Sequence, residues 1–353
     1  MKHRDDAVAL GPDGYSRFFV IINLLERFYG KNKKTIKILD VGGCSPYMYD
    51  LLSESSIAFE LTILDILPKP AGLPAKATYI QADATKSDLP DGTFDVVVST
   101  DTLEHIPAPI KDAFVQSCVR LSKDVCIMAA PFSTEGVDEA EHYVNDFNKQ
   151  LFRVGQDWLV EHFEYGKPSV AAVAKVLDGM KVSYIDFGTN NLYSWIFSTH
   201  MNLIEAKVGL DAKKSEAVRR AYNQSLAQSA EFEGITYRHF FVAFKNASFA
   251  IKDPLSGIAD KANPAVFGAY VHDMFRLVAD RMMQLSNDSI ALHEKNTQLT
   301  QQLENERVHS HKLNDELIQR NAELQRLAPL RRIARLRHPQ HVAKAVKKRL
   351  TGK

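Results

Sequence analysis

The residues of this chain best suited to chemistry are acids and glycines spaced between positions 40 and 105. Asp40 comes just before the pair Gly42-Gly43. Glycine lets a backbone turn sharply and lets a ligand approach it closely. The pattern is not the G-x-G-x-x-G of dinucleotide sites. A carboxylate here repels a pyrophosphate and favours a cationic ligand. Asp65 follows Gly42 by 23 residues, where an acid is suited to accept hydrogen bonds from both ribose hydroxyls. Asp83 stands where an adenine amino group could be read, with Ala84 offering backbone contacts. Ser99, Thr100 and Asp101 lie beneath the same ligand, ahead of Leu103-Glu104-His105-Ile106. Each acid alone is better explained as a turn or loop cap. Their joint order describes a nucleoside site whose ligand is cationic.

Such a site needs a sheet whose strand ends lie along one edge. Apolar runs predict strands over 35–41, 59–66, 77–81, 94–99, 125–130, 182–187 and 238–244. Helical spacing is found over 15–29, 110–121 and 169–180, with Pro168 suited to the first turn of the last. Seven strands with intervening helices predict an α/β fold, a doubly wound and mostly parallel sheet. Two connections are longer than usual, 131–166 and 188–236, and long loops at this edge commonly cover ligands. The expected organisation is an N-terminal helical cap (1–30), the α/β domain (31–250), a helical connector (251–281), a coiled coil (282–328) and a basic amphipathic tail (329–353).

Residues 35–130 resemble a class I S-adenosylmethionine-dependent methyltransferase, in particular the broad group whose fourth strand runs into L-E-H-I. The later strands extend the likeness over about residues 15–250. The resemblance implies S-adenosyl-L-methionine as cofactor, a ligand with a sulfonium and an ammonium and no phosphate. It assigns the acid–glycine loop to Asp40, Gly42 and Gly43, and the ribose acid to Asp65, with Ile66 beside it. The adenine side falls to Asp83 and Ala84, and the floor to Ser99 and Thr100. Cys44 and Pro46 stand where the family often has glycine, and Pro46 supplies no N–H.

Transfer of a methyl group to a hydroxyl is helped by a base near the acceptor. His105, just past the fourth strand, is one candidate, and packing against the adenosine is its alternative role. His142 and His162, each preceded by a glutamate, belong to the 131–166 insertion expected to form the acceptor side. No H-E-x-x-H or C-x-x-C pattern occurs, so no metal is assigned.

From Met282 a heptad pattern places Met282, Leu303, Leu317 and Leu324 at a and Leu285, Leu292, Leu299, Leu313 and Leu327 at d. A seam this narrow predicts self-association. Asn296 at an a position favours a parallel dimer, with a trimer as the alternative. Residues 331–353 hold nine Lys or Arg and no acid, so the net charge of +1 leaves −8 on the rest. An acidic body argues against nucleic acid as the partner. A basic amphipathic helix suits an anionic membrane surface, nucleic acid or an acidic partner.

Cys44, Cys118 and Cys126 have no metal-ligand spacing and read as reduced thiols. Acids at positions 5 and 6 interrupt the place where a signal peptide needs an apolar core. The expected location is cytoplasmic, with peripheral contact at the inner face of the membrane.

A methyltransferase domain followed by a coiled coil and a basic end resembles proteins of bacterial surface-polysaccharide synthesis. That likeness implies a sugar or glycan acceptor, lipid-linked in some cases. The alternatives are a small-molecule O- or N-methyltransferase acting on a quinone or secondary metabolite, an RNA methyltransferase, and a coiled-coil scaffold with a degenerate cofactor domain.

Overall fold

A computed structural model describes residues 8–31, 34–43 and 46–336, with side chains described as far as residue 326. Its helices and strands, in chain order, are α1 (Pro12–Tyr29), β1 (Ile36–Val41), α2 (Tyr47–Glu54), β2 (Phe59–Asp65), β3 (Thr78–Gln81), β4 (Phe94–Thr100), α3 (Lys111–Leu121), β5 (Ser122–Pro131), α4 (Val137–Phe152), α5 (Asp157–Tyr165), α6 (Val170–Gly179), β6 (Ser183–Asn191), α7 (Leu192–Val208), α8 (Ala212–Gln224), β7 (Thr236–Phe244) and α9 (Pro264–Leu336).

The strands read as continuous apolar runs because the sheet is covered on both faces. Alternate residues feed opposite layers. Ile36, Ile38, Val96, Val98, Val125 and Ile127 pack towards α1 and α2. Leu39, Val41, Val97, Cys126 and Met128 pack towards α3 and α6. The order is β3-β2-β1-β4-β5-β7-β6, parallel from β3 through β5. β7 runs antiparallel to both β5 and β6. This is the seven-stranded, mostly parallel, doubly wound sheet the sequence predicts.

The two long connections are helical rather than open loops. α4 and α5 fill 131–166, and Val137, Ala140, Val144 and Leu159 from them form a cluster with Leu192, Trp195 and Tyr237. The second connection begins only after β6 has run on to Asn191, and it holds α7 and α8. In α4 the apolar residues recur at intervals of three and four, but charged residues dominate its composition and hide that stripe.

Residues up to Arg281 form one compact unit, and the chain from Met282 forms a second. In the first, Tyr270, Met274 and Leu277 of α9 pack with Met201, Leu210, Tyr222 and Leu226. Residues 251–263, predicted as part of a helical connector, are largely turn and coil, and helix begins at Pro264. In the second unit every described side chain, 282–326, is exposed, the heptad leucines included. The part of the basic tail beyond residue 336 lies outside the described residues. No helix among the described residues is long and apolar enough to cross a membrane.

Candidate active site

β1 and β4 are neighbours in mid-sheet, and the chain builds outward from them in opposite directions. The crevice beyond their carboxyl ends is where such sheets bind ligands. Gly42 turns the chain there with φ at +78°, and a Cβ on it would lie 2.3 Å from Thr102 Oγ1. The Thr102 hydroxyl donates to the Val41 carbonyl at 3.3 Å. The loop after β1 and the end of β4 therefore touch through space a side chain would need. A Cβ on Gly43 would lie 1.9 Å from Asp40 Oδ2, because the Asp40 carboxylate folds beneath the loop.

Asp40 is 4% exposed. Its Oδ1 has no hydrogen-bond partner among the described residues. Burial pushes the Asp40 carboxyl up to about 7, Arg17 pulls the other way, and Asp65 adds to the rise. A buried carboxyl with an unmatched oxygen under a side-chain-free turn fits a cationic ligand. Asp65 closes β2, and its Oδ1 accepts from the Leu67 amide at 2.7 Å. Next to it Ile66 is 67% exposed, an apolar shelf of the kind a nucleobase covers.

Asp83 caps the short turn Ala84–Lys86, accepting from the Thr85 amide at 2.9 Å and pairing with Lys86 at 2.9 Å. The Thr85 hydroxyl, then Lys86, holds its carboxyl below the usual range. The local role, a loop cap, is thus filled at Asp83. Ala84 is buried, as is Ser99, and Thr100 is half-buried. The predicted cofactor residues lie together along the carboxyl ends of β1 to β4. These residues fit S-adenosylmethionine. Cys44 lies outside the described residues, and Pro46 caps α2.

Beside this edge is a cavity of about 360 Å³. Asp101 stands on its wall at φ +47°, just past β4. Arg238 Nε donates to Asp101 Oδ1 at 2.8 Å and Nη2 to Oδ2 at 2.7 Å. Arg17 also pairs with Asp101. Burial would raise the Asp101 carboxyl, but Arg238 and then Arg17 hold it well below the usual carboxylate range. Arg238 Nη2 also reaches Asp13 at 3.1 Å. Trp195 stacks on Tyr237 with ring centroids 3.9 Å apart, and both line the same space.

Two of the three predicted histidines are here. His105 and His162 have ring centroids 4.8 Å apart. His105 Nδ1 bonds Glu161 Oε2 at 2.7 Å, and His162 Nδ1 bonds Glu141 Oε1 at 2.9 Å. Burial, then the neighbouring His162, lowers the His105 pKa. Glu141 also accepts from Lys167 at 2.6 Å and from the Tyr237 hydroxyl at 2.9 Å. Burial, then the Asp101 charge, drives the Glu104 carboxyl well above its ordinary value.

His142 is not in the cavity. It lies exposed on α4 and stacks on Phe163 at 4.1 Å, which is a packing role.

Sequence reasoning missed Asp13, Arg17, Arg238, Trp158, Trp195 and Tyr237, all of which line the cavity. Two signals were present. Asp13 and Arg17 are four apart on a helix and share a face. Arg238 is a lone arginine in the otherwise largely aromatic and apolar β7.

Residues 15–128 match a family model described as a methyltransferase domain. No curated protein matches the chain in sequence. Among solved structures, phosphoethanolamine N-methyltransferase 2 of Haemonchus contortus, in complex with S-adenosyl-L-methionine, is 16% identical with a TM-score of 0.42. The match covers 67% of this chain and 53% of the other, so this chain spans about half the length of that enzyme. An S-adenosylmethionine-dependent methyltransferase of Archaeoglobus fulgidus is 16% identical over 65% of this chain and 94% of that one, with a TM-score of 0.40. Magnesium protoporphyrin IX methyltransferase of Synechocystis, with bound S-adenosylhomocysteine, is 14% identical over 65% and 83%, at a TM-score of 0.40.

Proposed function

We propose that this chain is an S-adenosylmethionine-dependent methyltransferase, a reading supported by the match of residues 15–128 to a methyltransferase-domain family model, and that the acceptor is a sugar hydroxyl. The observation that carries this reading is the makeup of the cavity. Trp158, Trp195 and Tyr237 offer ring faces, while Asp101, Arg238 and the two histidines offer fixed polar groups. Apolar faces with a few convergent polar groups are what a sugar ring uses for stacking and hydroxyl recognition.

When bound, the cofactor supplies a methyl group activated by a sulfonium leaving group. Asp40, Gly42 and Gly43 hold its cationic amino-acid end, and Asp65 and Ile66 its nucleoside. The protein's remaining work is alignment and handling of one proton. The Asp101–Arg238–Arg17 network fixes the wall between the cofactor edge and the cavity. His105, beside Glu104 and His162, receives the hydrogen bond and then the proton of the acceptor hydroxyl. His105 suits this task because burial and the neighbouring His162 favour its neutral ring, and Glu161 holds its Nδ1 as the donor.

The exposed heptad leucines support self-association through 282–328, and the basic end supports contact with an anionic membrane surface. Together these fit an acceptor glycan carried on a membrane lipid.

The test is transfer of labelled methyl from S-adenosylmethionine to lipid-linked glycan, free sugars and phenolic small molecules. Label in an O-methyl sugar, reduced about 100-fold or more in kcat by His105→Ala and little by His142→Ala, is expected. Label only in phenols, or equal loss in both variants, contradicts the reading.

A further inference from the structure

The geometry points to a divalent transition-metal site formed by Glu104, His105 and His162. One ligand atom from each lies within 4.8 Å of the other two. Glu104 and His105 sit on the short turn after β4, and His162 on α5. Strand end and insertion meet here, so the sequence separates donors that the fold brings together.

Three observations distinguish this cluster from ordinary packed polar residues. First, each imidazole has its Nδ1 on a carboxylate, His105 on Glu161 and His162 on Glu141. Metal-bound histidines are oriented this way, and the arrangement leaves Nε2 as the free donor. Second, His162 Nε2 and Glu104 Oε2 are buried without a hydrogen-bond partner among the described residues, their residues 2% and 1% exposed. Third, they do not satisfy each other. His162 Nε2 is 3.9 Å from Glu104 Oε1, beyond hydrogen-bond range. A cation between them would engage both.

The donor set selects the metal. Two imidazoles and one carboxylate suit zinc, manganese or iron and not magnesium or calcium, which prefer oxygen. Ligands about 2.1 Å from a tetrahedral zinc lie roughly 3.4 Å apart, so the three must close slightly. His105, half-buried at the rim, has room to move. Three protein ligands leave a coordination position, and all three residues line the cavity. The chemistry follows the open-site pattern of catalytic zinc.

The catalytic consequence rests on the cavity being the acceptor pocket. With the metal bound, the two histidines hold it instead of taking the proton themselves: a hydroxyl on the open position becomes more acidic and gives its proton to water in the cavity. The acceptor oxygen then forms its bond to the methyl carbon, while the carbon–sulfur bond breaks and its electron pair stays on sulfur.

The test uses full-length protein stripped of metal by a chelator. Calorimetric titration with Zn²⁺ is expected to show one tight equivalent per chain, weakened at least about 30-fold in His105→Ala and in Glu104→Gln. Co²⁺ added to the wild type is expected to give visible d–d absorption that both variants lose. His105 is half-exposed, so His105→Ala keeps the test independent of any folding defect in a His162 variant, and a thermal melt verifies it. Zn²⁺ affinity equal in wild type and both variants, or no cobalt band in the wild type, would overturn the site. A metal bound there whose removal leaves methyl transfer unchanged would keep the site and remove the acceptor-pocket reading.

Discussion

Arg238 grips both carboxylate oxygens of Asp101, at 2.8 and 2.7 Å, joining residues 137 apart in sequence. The pair links β7 to the turn after β4, and with Arg17 and Asp13 it anchors the cavity wall. Arg238 is 1% exposed. Losing one partner of a buried pair costs about 3–5 kcal/mol when the other charge is left unpaired, and here Arg17 still pairs with Asp101. Arg238→Ala is therefore expected to lose about 2–3 kcal/mol of stability in a denaturant titration. A loss under about 1 kcal/mol would show that the wall stands without it.

The pH dependence of cofactor binding should follow Asp40. Its carboxyl is raised to about 7 in the folded protein by burial. A raised acid binds more protons folded than unfolded, so its stabilising effect is complete below the unfolded value, near 4, and is lost as pH rises towards 7. A cationic ligand needs the ionised form. S-adenosylmethionine should therefore bind about tenfold tighter at pH 8 than at pH 6. Calorimetry at the two pH values checks this. Asp40→Asn should bind weakly at both, with the difference abolished.

Gly42 and Thr102 compete for one space. A Cβ on Gly42 would meet the Thr102 side chain at 2.3 to 2.9 Å, at φ +78°. Gly42→Ala is expected to lower the melting temperature and weaken cofactor binding at least tenfold. Adding Thr102→Gly removes the clash but not the backbone strain, which is worth about 1–2 kcal/mol. The double variant should thus recover part of the loss. No recovery in the double variant would show that the close approach is not what requires glycine.

Self-association has a simple check. Leu299 and Leu303 are 46% and 67% exposed in the single chain, at d and a positions of the heptad. Sedimentation of the full-length protein should give a dimer or trimer, and Leu299→Asp with Leu303→Asp a monomer. A monomeric wild type would contradict the coiled-coil reading.

The cofactor edge was legible in the sequence because its residues sit at fixed offsets from strands, and strands announce themselves as apolar runs. Asp40, Gly42 and Asp65 could be placed by counting. Asp83 could be placed too, but its local cap with Thr85 was visible only in the fold. The cavity was largely hidden. Its walls come from α1, the turn after β4, α5, α7 and β7, elements spread over more than two hundred residues. No local pattern relates Asp13 to Arg238 or His105 to Glu161. The three candidate histidines looked alike in sequence, each beside a glutamate. Burial separated them, leaving His142 on the surface and His162 in the core.

The central claim is that S-adenosylmethionine binds at the carboxyl edge of β1 and β2. Its most direct test is calorimetric titration of S-adenosylmethionine into the full-length protein and into Asp65→Ala. The account predicts one site per chain in the wild type and at least about a 30-fold loss of affinity in the variant, as two ribose hydrogen bonds to a charged acceptor require. Equal affinity in the two proteins, or no binding by the wild type at high ligand concentration, would contradict it.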